Sequence, residues 1–84
     1  SFTKYKVVAS LENKKGVLAS FLHFLATKNI NVLSIELGKS EEGFTNYCEL
    51  VLESEIREAK SIRSLLASKY TIIEIYALKD AYNG

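Results

Sequence analysis

The chain has 84 residues, room for one small domain and not two, and its 48% hydrophobic content gives a core that is marginal alone and so invites dimerisation or partner contacts. Eleven basic residues face ten acidic ones, a balance with no nucleic-acid footprint and no polybasic membrane signal, and no apolar run approaches the ~20 residues of a membrane span. The single cysteine, Cys48, excludes an intrachain disulfide and suits a reducing, cytoplasmic setting; the absence of methionine reads as a piece of a longer protein.

Lys4 to Leu11 alternates, with Tyr5, Val7, Ala9 and Leu11 on one side and Lys4, Lys6 and Ser10 on the other. That is the period of a half-buried strand. Val17, Leu18, Phe21, Leu22, Phe24 and Leu25 then recur at helical spacing, and the helix is expected to end near Lys28-Asn29. Ile30 to Leu37 is the second strand, "GKSEEG" from Gly38 to Gly43 a hairpin loop, and Phe44 to Glu53 the third strand. Ser54 is the expected N-cap of a second helix whose buried stripe is Ile56, Ala59, Ile62, Leu65 and Leu66. Tyr70 to Leu78 is the fourth strand, and the tail "KDAYNG" is polar.

Strand, helix, strand, strand, helix, strand is the order of an α+β ferredoxin-like βαββαβ sandwich, a four-stranded antiparallel sheet with two helices on one face. The helix-free face then carries Val8, Val51 and either Ile72 or Ile73, and reads as a candidate interface.

Catalysis finds little support. His23 sits on the polar strip of the first helix with Ser20 three residues before it, but a Ser-His pair needs an orienting acid and an oxyanion hole. Cys48 reads as a small buried hydrophobe. One Cys and one His do not make a four-ligand metal site, so no metal and no cofactor are expected. Glu41-Glu42 read as a solvated loop tip. RNA-recognition modules share the element order, yet "FTNYCELVLE" carries two glutamates and lacks their basic aromatic consensus. No catalytic residue is assigned.

The turn "LENKKGVLASF" holds the remaining chemistry. The first-turn N–H groups of a helix are unpaired and carry partial positive charge, which suits a carboxylate or phosphate. Gly16 permits positive φ or close approach. Asn13 can donate and accept through one amide, matching the ammonium and carboxylate of an amino acid, and Lys14 and Lys15 favour an anion. The bland alternative makes Asn13 the helix cap, worth about 1 kcal/mol.

At this turn the chain resembles an ACT domain. Asn13, Gly16, Val17 and Leu18 match the family pattern of an acidic residue or Asn, a gap, Gly, and an aliphatic pair opening the helix; Lys15 stands where many members have proline. "NINVLSIELG" and "NYCELVLE" resemble the second and third strands. The resemblance spans 1–79, with 80–84 as a tail. The run "NKKGVLASFLHFLATKNINVLSIELG" and the "YTIIEIYAL" ending are most similar to the C-terminal ACT domain of RelA/SpoT-type (p)ppGpp synthetase/hydrolases. It implies a non-catalytic, cytoplasmic regulatory module that pairs as a homodimer and binds a small effector such as an amino acid. The implied contacts are Asn13, Lys15, Gly16, Val17 and Leu18, completed by Asn31, Val32, Leu33 and Ser34 of a partner. The catalytic domains of its own chain would be partners, and nucleic acid would be met only through ribosome docking of the parent. The alternatives are an amino-acid-binding domain of a biosynthetic enzyme and a ligand-free protein–protein interaction domain.

Overall fold

The computed structural model describes residues 1–79; the polar tail expected at 80–84 lies outside them. The elements follow in the order β1 (Thr3–Glu12), α1 (Val17–Thr27), β2 (Asn31–Lys39), β3 (Thr45–Ser54), α2 (Ala59–Ala67) and β4 (Thr71–Ala77). They form one antiparallel sheet in the order β2-β3-β1-β4. This is the βαββαβ arrangement that the alternation and helical stripes predict.

The core is one layer. Tyr5, Val7, Ala9 and Leu11 of β1 and Cys48, Leu50 and Leu52 of β3 meet Phe21 and Leu25 of α1 and Ile62 and Leu66 of α2. α1 lies over β1 and β2, and α2 over β4. Edge-to-face contacts of Tyr70 with Phe21 (4.7 Å) and Phe24 (5.4 Å) fill the seam between the helices.

α1 ends as its sequence dictates. The Ile30 N–H donates to the Leu25 carbonyl and the Asn29 N–H to the Ala26 carbonyl, a Schellman closure, with Asn29 in the left-handed region at φ 58°. Buried Ile30 anchors the closure in the core.

α2 begins later than its sequence suggests. Its N-cap is Glu58, without a side-chain cap bond, and Ser54 closes β3 instead. Ser54 is buried, and its Oγ accepts the Ile56 N–H at 3.1 Å. The Tyr5 hydroxyl donates to the Ile56 carbonyl. Two bonds thus hold the chain extended through Ile56, and no helix can form until they are passed.

Both edge strands carry an irregularity in register, at Leu33 in β2 and Ile73 in β4. Bulges at exposed edges discourage indiscriminate pairing. The one in β4 settles the open face: Ile72 packs against the core and Ile73 is the exposed extra residue. Val8 and Val51 do lie on that face, but opposite and around them stand Glu36, Glu49 and Glu74. Three of the four exposed large aliphatics among the described residues, Leu33, Ile35 and Leu37, are on β2, and the fourth is Ile73. Ile35 pairs with Leu50 and Leu37 with Cys48, so both point toward the helix layer, yet they are 40% and 50% exposed.

Candidate functional site

The turn between β1 and α1 is built on Gly16. It is the N-cap of α1 at φ 85° and ψ −13°, and no side chain caps the helix. The Val17 N–H closes a turn onto the Lys14 carbonyl (3.2 Å), and the Ser20 N–H makes the first helical bond to Gly16 (2.9 Å). The Leu18 and Ala19 N–H groups have no acceptor among the described residues. They are the unpaired donors of a helix start.

A Cβ added to Gly16 meets nothing within 4 Å. The requirement is therefore conformational, and Gly16→Ala is expected to lower stability by about 1–2 kcal/mol, read from urea unfolding. A loss below a few tenths would mean that the turn relaxes freely.

Asn13 does something the sequence does not show. It is not the helix cap. Its Nδ2 donates to the Gly43 carbonyl (2.8 Å), its Oδ1 accepts from Asn46 Nδ2 (3.3 Å), and its backbone N–H donates to the Phe44 carbonyl (2.8 Å). Asn13 ties the β1–α1 turn to the β2–β3 hairpin, whose tip closes through Gly43 N–H to Ser40 carbonyl (3.0 Å) with Gly43 at φ 78°. Gly43 and Asn46 were missed because a contact thirty residues away leaves no local signal. Lys14 pairs with Glu12 at 3.6 Å on the surface, and Lys15 is exposed.

Within one chain the two halves of the expected site do not meet. Asn13 lies where β1 ends, beside Thr45 and Asn46; Asn31 pairs with Glu53, which pairs with Lys4, at the far end of the sheet. Asn31 Nδ2 donates to Glu53 Oε1 at 3.1 Å. Asn31 also lines a groove of about 750 Å³ with Phe2, Asn29, Ile30 and Ile56. Val32 packs against the core, and Leu33 and Ser34 are exposed.

The other candidates stand as the sequence suggests. His23 is on the solvent side of α1 and Cys48 is fully buried. Burial pushes the Cys48 thiol up to about 11. It stays protonated at neutral pH and is neither nucleophile nor ligand there. No helix among the described residues is long and apolar enough to cross a membrane.

The βαββαβ sandwich, with its open strand–helix turn and half-exposed edge strand, is a ferredoxin-like fold. Residues 5–68 match the family model of the ACT domain, and the chain belongs to that family of regulatory domains. Among solved structures, an unknown protein from Galdieria sulphuraria matches with a TM-score of 0.77 at 16% identity, over 99% of this chain and 49% of that one. This chain thus spans about half the length of the Galdieria protein. The crystal structure of the ACT domain from GTP pyrophosphokinase of Chlorobium tepidum matches at 15% identity, over 92% of this chain and 96% of that one, with a TM-score of 0.53. The domain's solution NMR structure matches at 14% identity, over 95% and 88%, with a TM-score of 0.52. These likenesses are of fold. No curated protein matches the sequence significantly.

Proposed function

We propose that this ACT domain is a cytoplasmic effector-sensing module that works as a homodimer joined along β2, as the C-terminal regulatory part of a RelA/SpoT-type (p)ppGpp synthetase/hydrolase. The observation that carries the reading is the separation of the two half-sites. β2 runs from Asn31, far from the turn, to Lys39, next to it. Antiparallel pairing of β2 with a second β2 about a two-fold axis brings the partner's Asn31–Ser34 segment toward the Lys39 end. Each seam then holds one chain's Lys15–Leu18 turn and the other's Asn31–Ser34. The pairing also covers Ile35 and Leu37.

In this arrangement the free N–H groups of Leu18 and Ala19 receive the carboxylate of an amino acid, with the helix dipole and Lys15 adding positive potential. The Chlorobium domain, from a GTP pyrophosphokinase, supports the assignment of parent. An effector bound across the seam favours the paired state only by its higher affinity for it, and that difference limits what it can transmit to catalytic domains in the same chain. A biosynthetic-enzyme parent would use the same seam.

The test is a thermal-shift screen against the twenty amino acids and guanine nucleotides. A ligand of the folded state at a hundredfold excess over its dissociation constant stabilises by about 2.7 kcal/mol. One amino acid is expected to raise the melting temperature, and Asn13→Ala is expected to abolish that shift. The same substitution should itself cost about 1–2 kcal/mol, through the Gly43 and Asn46 bonds. One observation favours a second reading, a ligand-free module that docks on its own catalytic domains or, through its parent, on the ribosome. The Asn13 carboxamide is already engaged by Gly43 and Asn46. Absence of any shift would select that reading.

A further inference from the structure

The near-neutral composition conceals a polarised molecule. Residues 13–29 and 55–70, which hold both helices and their flanking turns, carry seven Lys and Arg against two Glu. The helix-free face carries Lys4 and Lys6 against Glu12, Glu36, Glu49, Glu53 and Glu74. Positive potential therefore collects over the helices, though the lysines look scattered in the sequence.

On this layer lies a groove of about 460 Å³ lined by Ala19, Ser20, His23, Phe24, Thr27 and Lys69. The Lys69 ammonium lies 5.3 Å from the Phe24 ring centre, and the Lys28 ammonium 5.6 Å from the same ring. Two like charges share one aromatic ring. Each follows the end of a helix, where a lysine could serve the last carbonyls. Neither does so. Among the described residues neither ammonium bonds a carbonyl or lies within ion-pair distance of a carboxylate. The His23 imidazole and the Ser20 hydroxyl, facing the same groove, also have no protein partner there. These are solvent-facing donors beside a groove of a size suited to a small molecule.

We infer that this groove between α1 and the end of α2 is a second binding site, for a multivalent phosphate. Lys69 lines the groove and Lys28, which lines the neighbouring groove, reaches the same Phe24 ring; the two hold the phosphate chain, and Ser20 and His23 donate to its oxygens. The ring holds the ammonium groups by cation–π attraction, and a ligand anion removes their mutual repulsion. The chemistry is shared by inorganic polyphosphate and by the phosphate chain of a nucleotide. The site is independent of the β1–α1 turn.

The test is NMR titration of the chain at low salt with inorganic triphosphate, a nucleoside triphosphate and the bare nucleoside. His23, the one histidine in the sequence, is the reporter. Saturable shifts of His23, Ser20, Thr27 and Lys69 are expected with both phosphates and none with the nucleoside. Tighter binding of the nucleoside triphosphate would make the nucleotide the source; equal binding would make it the phosphate chain alone. Lys28→Gln and Lys69→Gln are surface changes that leave the fold intact, and each should weaken binding by roughly tenfold or more. Lys14→Gln and Lys15→Gln, at the turn, should weaken it only slightly. Non-saturating shifts, shifts centred on residues 13–18, or indifference to Lys28→Gln and Lys69→Gln would overturn the site. None of these outcomes bears on whether an amino acid binds the turn.

Discussion

Replacing Ile35 and Leu37 together by lysine should abolish the dimerisation proposed along β2 while leaving the fold in place. Both side chains are already half in water in the isolated chain, so the monomer has little burial to lose there. In the paired form each would be covered, and a two-fold axis counts each residue twice. With about 1 kcal/mol for each of four partly buried aliphatic side chains, the dissociation constant should rise roughly a thousandfold. Lysines facing one another across the axis add repulsion to that figure. Sedimentation equilibrium at tens of micromolar should show wild-type dimer and variant monomer, with superimposable far-ultraviolet circular dichroism. A wild-type chain that is monomeric under these conditions would remove the basis for a site built between copies. A variant that remains dimeric would place the interface elsewhere.

Such a test depends on residues that the sequence alone does not single out. The alternation in β1 marked Tyr5, Val7, Ala9 and Leu11 as one face, because burial under a helix layer leaves a period of two. Ile35 and Leu37 obey the same period and were legible as strand residues. Their exposure was not, because it depends on how far α1 extends across β2. The choice between Ile72 and Ile73 turned on a register shift, which no propensity reveals. Ser54 failed as a cap for a related reason. Its hydroxyl satisfied a nearby N–H in an extended segment that the distant Tyr5 hydroxyl helps to hold.

The turn divides the same way. Gly16 was readable because a positive φ at a helix start selects glycine through local sterics. The role of Asn13 was not, because both partners of its carboxamide, Gly43 in the hairpin loop and Asn46 just after it, lie some thirty residues away. An asparagine four residues before a helix offers the same local signal whether it caps, binds a ligand or clamps a loop. The basic helix layer was hidden for a similar reason. Lys28 and Lys69 are forty-one positions apart in the sequence, and only the packing of Phe24 against Tyr70 brings them to one ring.

Phe21→Ala should come close to unfolding the chain. Phe21 is fully buried, faces Tyr70 edge-on at 4.7 Å, and is the aromatic by which α1 holds to the core. Truncating such a side chain costs about 3–5 kcal/mol. A domain of this length has a total stability of roughly 4–12 kcal/mol, so the loss is a large fraction of what exists. At about 4–8 °C per kcal/mol, the melting temperature should fall by well over ten degrees. α1 also sets the position of the turn at its start and of the groove along its side. Any loss of ligand response in this variant therefore has to be compared with Phe21→Leu, which keeps most of the volume and should cost far less. If Phe21→Leu restores the fold and both responses, α1 acts as a rigid mount for two sites. If it restores the fold but not the amino-acid response, the edge-on contact with Tyr70 itself holds the turn in register. The melting curve and the ligand titration on the same sample separate these two outcomes.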